Sequence, residues 1–90
     1  MKIVKFKPEY YNQVSVIYEK SFPQEERYIT LEKMIKQENT ELYCLINGDN
    51  VLGFVYLIFY KNMIFILYLA VNIDNRSNGF GSYILKMVFK

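Results

Sequence analysis

The sequence contains no histidine, and that absence excludes more than any residue present implies. Without an imidazole there is no Ser-His-Asp or Cys-His nucleophile and no His-liganded metal site in the chain. Cysteine is nearly as scarce. Cys44 is the sole thiol, so no internal disulfide framework can form, and a reducing, cytoplasmic setting is expected. Charge of either sign is modest, with 11 Lys and Arg against 9 Asp and Glu. A net charge of +2 is too slight to argue nucleic-acid binding, which shows as a clustered basic face. Met1 to Lys7 alternates lysine with apolar residues and lacks the apolar core of a signal peptide.

Apolar and aromatic residues are abundant: 52% of the chain is hydrophobic, with nine Tyr and seven Phe. Its 90 residues make one domain, 1–90, because a typical domain takes about 100–150 residues. A domain this small buries only about 60–65% of its unfolded surface, so it needs a dense core or a partner.

Val51 to Val71 is long enough for a membrane span, which takes roughly 20 apolar residues. Lys61-Asn62 falls at its middle, where a charge is most unfavourable. Val, Ile, Phe and Tyr dominate the run and favour strands. Val51–Tyr60 and Met63–Val71 therefore read as a hairpin joined by a two-residue turn, and no membrane partner is expected. Both strands are apolar on both faces, the pattern of central strands covered by helices on each side.

Elsewhere, Lys2–Phe6 alternates as a short strand. Pro8 suits a first helical turn, and Tyr11, Val14, Ile17, Tyr18 and Phe22 follow at helical spacing until Pro23 ends the helix. Thr30 is a candidate N-cap for a second helix carrying Leu31, Met34 and Ile35. Glu41–Asn47 reads as a strand, and Cys44 within it as a small buried hydrophobe. After Val71 comes a loop, Asn72 to Gly81, and a helix resumes from Ser82. The order β-α-α-β-β-β-α predicts an α+β (mixed α/β) domain with a mainly antiparallel sheet and helices on both faces.

Arg76-Ser77-Asn78-Gly79-Phe80-Gly81, between an apolar strand and a helix, is the segment suited to chemistry. Glycines let the backbone approach a ligand closely, and amide N–H groups at a helix start favour phosphate oxygens. Arg76 can add a charge-assisted hydrogen bond. The same residues also suit a plain glycine turn that caps the last helix. A Walker loop is excluded, because no Gly-Lys-Ser/Thr is present. The dinucleotide fingerprint fails too, because Ile84 stands where its third glycine belongs.

Arg76 to Gly81 matches the Arg/Gln-x-x-Gly-x-Gly/Ala signature, and here the sequence resembles the GNAT superfamily of N-acetyltransferases. Tyr68-Leu69-Ala70-Val71 with Asp74-Asn75-Arg76, and Phe22-Pro23-Gln24-Glu25-Glu26-Arg27, resemble stretches of that family; Ile73 departs from a common proline. The resemblance implies acetyl-CoA binding and acetyl transfer to an amine acceptor. It implies that Arg76, Ser77, Asn78, Gly79, Phe80, Gly81 and Ser82 cradle the pyrophosphate. It also implies a bulge near Leu69–Val71, with Leu69, Ala70 and Val71 along the pantetheine arm and the Leu69 and Val71 amides facing the thioester carbonyl. Glu25 and Glu26 are candidate bases, although solvated connecting charges are the plainer reading. Tyr68 is a candidate catalytic residue whose plainer reading is packing. No metal is implied.

A whole domain of this family continues for about 50–60 residues past this helix, by the same resemblance. The expectation is therefore an acetyltransferase or a fragment of one. The alternative is a catalytically inactive truncated module that associates through its exposed fourth-strand edge. A homodimer or a missing C-terminal segment would then pair at that edge.

Overall fold

The computed structural model describes residues 1–75 and 78–89. Its elements run β1 (Lys2–Lys5), α1 (Tyr11–Ser21), α2 (Leu31–Lys36), β2 (Thr40–Asn47), β3 (Asn50–Tyr60), β4 (Met63–Val71) and α3 (Phe80–Val88). Short 3-10 turns lie at Pro8–Tyr10, Gln24–Glu26 and Ile73–Asn75. The four strands pair antiparallel in the order β1-β2-β3-β4. The sheet is thus a meander in which each strand neighbours the next, as short connections dictate.

Helical spacing aims Val14, Ile17 and Tyr18 of α1 at one face of the sheet, with Leu31 and Met34 of α2 beside them. They meet Leu42, Cys44, Phe54, Tyr56, Tyr68 and Ala70 in the larger core. Thr30 caps α2 as expected, its hydroxyl accepting the Lys33 N–H at 3.2 Å. On the opposite face α3 covers Leu45, Val55 and Leu57, with Ile84 buried among them. Gly53 permits that packing. A Cβ there would stand 2.7 Å from the Ala70 carbonyl oxygen and 3.1 Å from Ile84 Cδ1.

The Val51 to Val71 run forms β3 and β4, joined at Lys61-Asn62 with Tyr60 opposite Met63. Among the described residues no helix is long and apolar enough to cross a membrane. The expectation of two central strands holds for β3 and fails for β4. β4 lies at the edge of the sheet, and its first five residues, Met63–Leu67, are all exposed. The reason is coverage: among the described residues α3 packs on the later half of β4 through Leu69 and Val71 and leaves the side chains of the hairpin end exposed.

The irregularity of β4 also falls earlier than Leu69–Val71. Tyr56 pairs with Tyr68 and Leu57 with Ile66, so Leu67 is the extra residue and the ladder around Leu69–Val71 is regular. A bulge re-aims the side chains beyond it. Here it turns Tyr68 and Ala70 into the α1–α2 core and Leu69 and Val71 toward α3. The third helix begins at Phe80, two residues before its expected start, because Gly79 takes φ 75° and ψ 14° and serves as the N-cap.

Candidate functional site

Two elements converge where β4 ends. Asn72 closes the ladder, its N–H donating to the Leu52 carbonyl at 2.7 Å, and its side-chain oxygen accepts the Asp74 N–H at 3.1 Å. Backbone groups alternate sides along a strand, so those of Leu69 point away from β3, toward the open edge. The chain then returns to start α3. The first i to i−4 bond of that helix runs from the Tyr83 N–H to the Gly79 carbonyl at 3.0 Å. The amides of Phe80, Gly81 and Ser82 precede it and have no acceptor within the helix. Such a helix start carries partial positive charge.

Between these elements lies an open cleft of about 370 Å³, lined by Ser21, Phe22, Leu69, Ala70, Val71 and Gly81. Gly81 faces its interior. A Cβ at that position would meet only Val71 Cγ2, at 3.9 Å. Gly79 has a different task, since its φ of 75° lies in the left-handed region that side chains disfavour. The two glycines of the motif therefore act separately, one shaping the backbone and the other leaving room.

The wall opposite α3 is aromatic. Tyr68 packs edge-on against Tyr18 and Phe22, each ring 4.9 Å away. Its hydroxyl donates to the Glu26 carbonyl at 2.9 Å and accepts the Tyr28 N–H at 2.8 Å. Tyr18 donates to the Ile29 carbonyl at 2.6 Å, and burial pushes its pKa upward, reinforced by the neighbouring Tyr68. Two buried phenols thus pin the segment between α1 and α2 onto the sheet.

The residues singled out from the sequence divide into three groups. Leu69, Ala70, Val71 and Gly81 line the cleft, with Phe80, Ser82, Gly79 and Asn78 beside it in the helix start. Arg76 and Ser77 lie outside the described residues. Glu25 and Glu26 are exposed on the Gln24–Glu26 turn, outside the cleft lining, and Tyr68 is buried with its hydroxyl shared between two backbone groups. No motif or spacing singled out Ser21 as a lining residue. A second pocket of about 300 Å³, which includes Tyr11, Ser15, Glu19, Gln24, Arg27 and Thr30 in its lining, also escaped notice. Its residues are scattered over α1 and the segment after it with no motif spacing.

The sequence matches no family model and no curated protein. Solved structures do match. A GNAT-family acetyltransferase from Staphylococcus aureus superposes with a TM-score of 0.69 at 23% identity, over 96% of this chain and 74% of that one. The fold is that of a GNAT acetyltransferase. An aminoglycoside 6'-N-acetyltransferase complexed with coenzyme A shares the GNAT-type fold with a TM-score of 0.80 at 20% identity, over 98% of this chain and 53% of that one. The aminoglycoside 6'-N-acetyltransferase from Enterococcus faecium gives 0.77 at 21%, over 98% and 52%. The chain thus spans about half the length of these two aminoglycoside acetyltransferases.

Proposed function

We propose that the chain binds acetyl-CoA in the cleft between β4 and α3 and carries the cofactor half of an N-acetyltransferase site. The observation that carries this reading is the cleft itself. The open strand edge at Leu69 and the first turn of α3, whose amides have no acceptor within the helix, meet at one cavity, and Gly81 keeps it clear.

The residues present fit such a ligand. The amides of Phe80, Gly81 and Ser82 would hold phosphate oxygens, helped by the dipole of α3. Arg76, Ser77 and Asn78 belong to the same motif and would add polar contacts and, from Arg76, a charge. The side chains of Phe22, Leu69 and Val71 would wall the narrow arm and exclude water. The Leu69 N–H, turned to the open edge, would donate to a carbonyl oxygen as negative charge grows on it.

When bound, acetyl-CoA would supply an acyl group on a thioester carbon for an amine to attack, the C–S bond breaking and coenzyme A leaving as the thiol with a proton. Glu25 and Glu26, exposed at the end of the aromatic wall, are the carboxylates proposed to take the proton of the amine. Tyr68 is assigned a positioning part, because its hydroxyl holds the Glu26 carbonyl and so the turn that bears both acids.

Thermal unfolding with and without coenzyme A tests this reading. A ligand that binds only the folded chain raises the midpoint. The expected result is a rise with millimolar coenzyme A that is lost in Gly81→Asp, whose carboxylate would sit in the cleft. No rise in the unsubstituted chain would sink the proposal.

A further inference from the structure

Met63, Ile64, Phe65, Ile66 and Leu67 form an uninterrupted apolar edge, each 38–52% exposed. Proteins guard exposed edges with charges, prolines or short strands. This stretch has neither charge nor proline and five consecutive large side chains. Taking about 200 Å² for a fully exposed large side chain, the five offer about 450 Å², within the range of about 300–600 Å² for the largest apolar patch on a monomer, which is often functional. Tyr60 lies across the hairpin from Met63, and Phe89 shares a pocket with Ile64, Leu57 and Val88. Tyr60 and Phe89 are 56% and 46% exposed. With them the surface reaches about 650 Å² per copy, or about 1,300 Å² for two, within the range of about 1,200–2,000 Å² that stable interfaces bury.

The order of the residues selects the occupant. Read in either direction from Phe65, the stretch presents an isoleucine and then a long flexible or branched apolar side chain: Ile64 and Met63 one way, Ile66 and Leu67 the other. An antiparallel pair of identical strands centred on Phe65 sets like against like, Phe65 on Phe65, Ile64 on Ile66 and Met63 on Leu67. Opposed side chains in an antiparallel pair share a face. The isoleucines of both copies would then lie on the α3 face and the two phenylalanines on the other. Such self-complementarity is what a twofold interface requires.

We infer that this face binds a second copy of the chain, through antiparallel β4–β4 pairing centred on Phe65. The bulge at Leu67 ends the paired stretch, so the half of β4 that borders the cleft stays open. The pairing and the ligand site use separate halves of one strand, and each can fail without the other.

Sedimentation of the purified chain at about 100 µM, a concentration at which an interface of this size holds, should give twice the chain mass. Ile66→Lys should sediment as a monomer with an unchanged circular dichroism spectrum. Val16→Lys, equally exposed on α1, should leave the dimer intact. Register is read by single cysteines under mild oxidation, with the native Cys44 buried and silent. Phe65→Cys should cross-link to itself faster than Met63→Cys or Ile64→Cys, because only position 65 opposes its own copy. A monomer at that concentration overturns the inference. So does a dimer that survives Ile66→Lys or cross-links fastest through 63 or 64.

Discussion

Ile84 of α3 rests on Gly53 of β3 so closely that its Cδ1 stands 3.1 Å from where a Cβ of residue 53 would be. The Ala70 carbonyl oxygen is nearer still, at 2.7 Å. α3 thereby sits low on the sheet, which brings its first turn beside Val71 and defines the depth of the cleft. Neither neighbour can yield cheaply, since one is backbone and the other is fully buried. Gly53→Ala should therefore destabilise the fold by about 1–3 kcal/mol, the usual range for overpacking. Urea unfolding measures it, and a loss below the error of the method would show that α3 can lift away.

The two motif glycines should respond unequally to alanine. Gly79 holds a left-handed φ, where a Cβ costs about 1 kcal/mol. Gly81 lies in the helix with open space around it, so alanine there should be neutral or stabilising by up to about 1 kcal/mol. Equal effects at both positions would mean that the helix starts elsewhere. The measurement is the urea midpoint of the two variants.

Tyr68→Phe keeps the ring contacts and removes one hydroxyl that serves two backbone groups. The Glu26 carbonyl and the Tyr28 N–H lose their partner together. The two backbone groups are only part-buried, so the expected loss is about 0.5–1.5 kcal/mol, the net range for an ordinary hydrogen bond. Limited proteolysis should show faster cleavage between Pro23 and Thr30, with cleavage elsewhere unchanged. Uniform cleavage would show that the phenol does not pin this segment.

Burial pushes the Cys44 thiol up to about 12 from an ordinary 9.0. A group with a raised folded pKa keeps its proton in the fold and gives it up more readily when unfolded. Its contribution is therefore whole below pH 9 and is lost as pH climbs toward 12. Stability should fall by about 1.4 kcal/mol per pH unit above 9. Tyr43, pushed up to about 12 by its hydrogen bond to the Glu41 carboxylate and by burial, adds the same trend above pH 10. Unfolding titrations between pH 8 and pH 10 check the thiol, and Cys44→Ala should flatten that interval. A slope that persists in the variant would place the effect elsewhere.

Features carried by local spacing were legible in the sequence. Pro8 and Pro23 bracket the first helix, Thr30 caps the second, and Lys61-Asn62 turns the hairpin, all as the residue types require. Element order and the glycine motif led to the fold that the solved structures share. The Leu67 bulge was hidden because Ile66-Leu67-Tyr68 is apolar throughout, and an unbroken apolar run carries no mark of phase. The role of Tyr68 was hidden for another reason. Its partners Glu26 and Tyr28 stand some 40 residues away in sequence, and only the packed sheet brings them within reach.

That one surplus residue also constrains how the strand can change in length. Facing direction along a strand has a period of two. Removing Leu67 alone would let Tyr68 follow Ile66 directly, a regular ladder in which Tyr68 still opposes Tyr56 and every later side chain keeps its present face. Removing a second residue with it would send all those later side chains to the opposite face. In descendants of this sequence, loss of the single bulged residue should survive where loss of two does not.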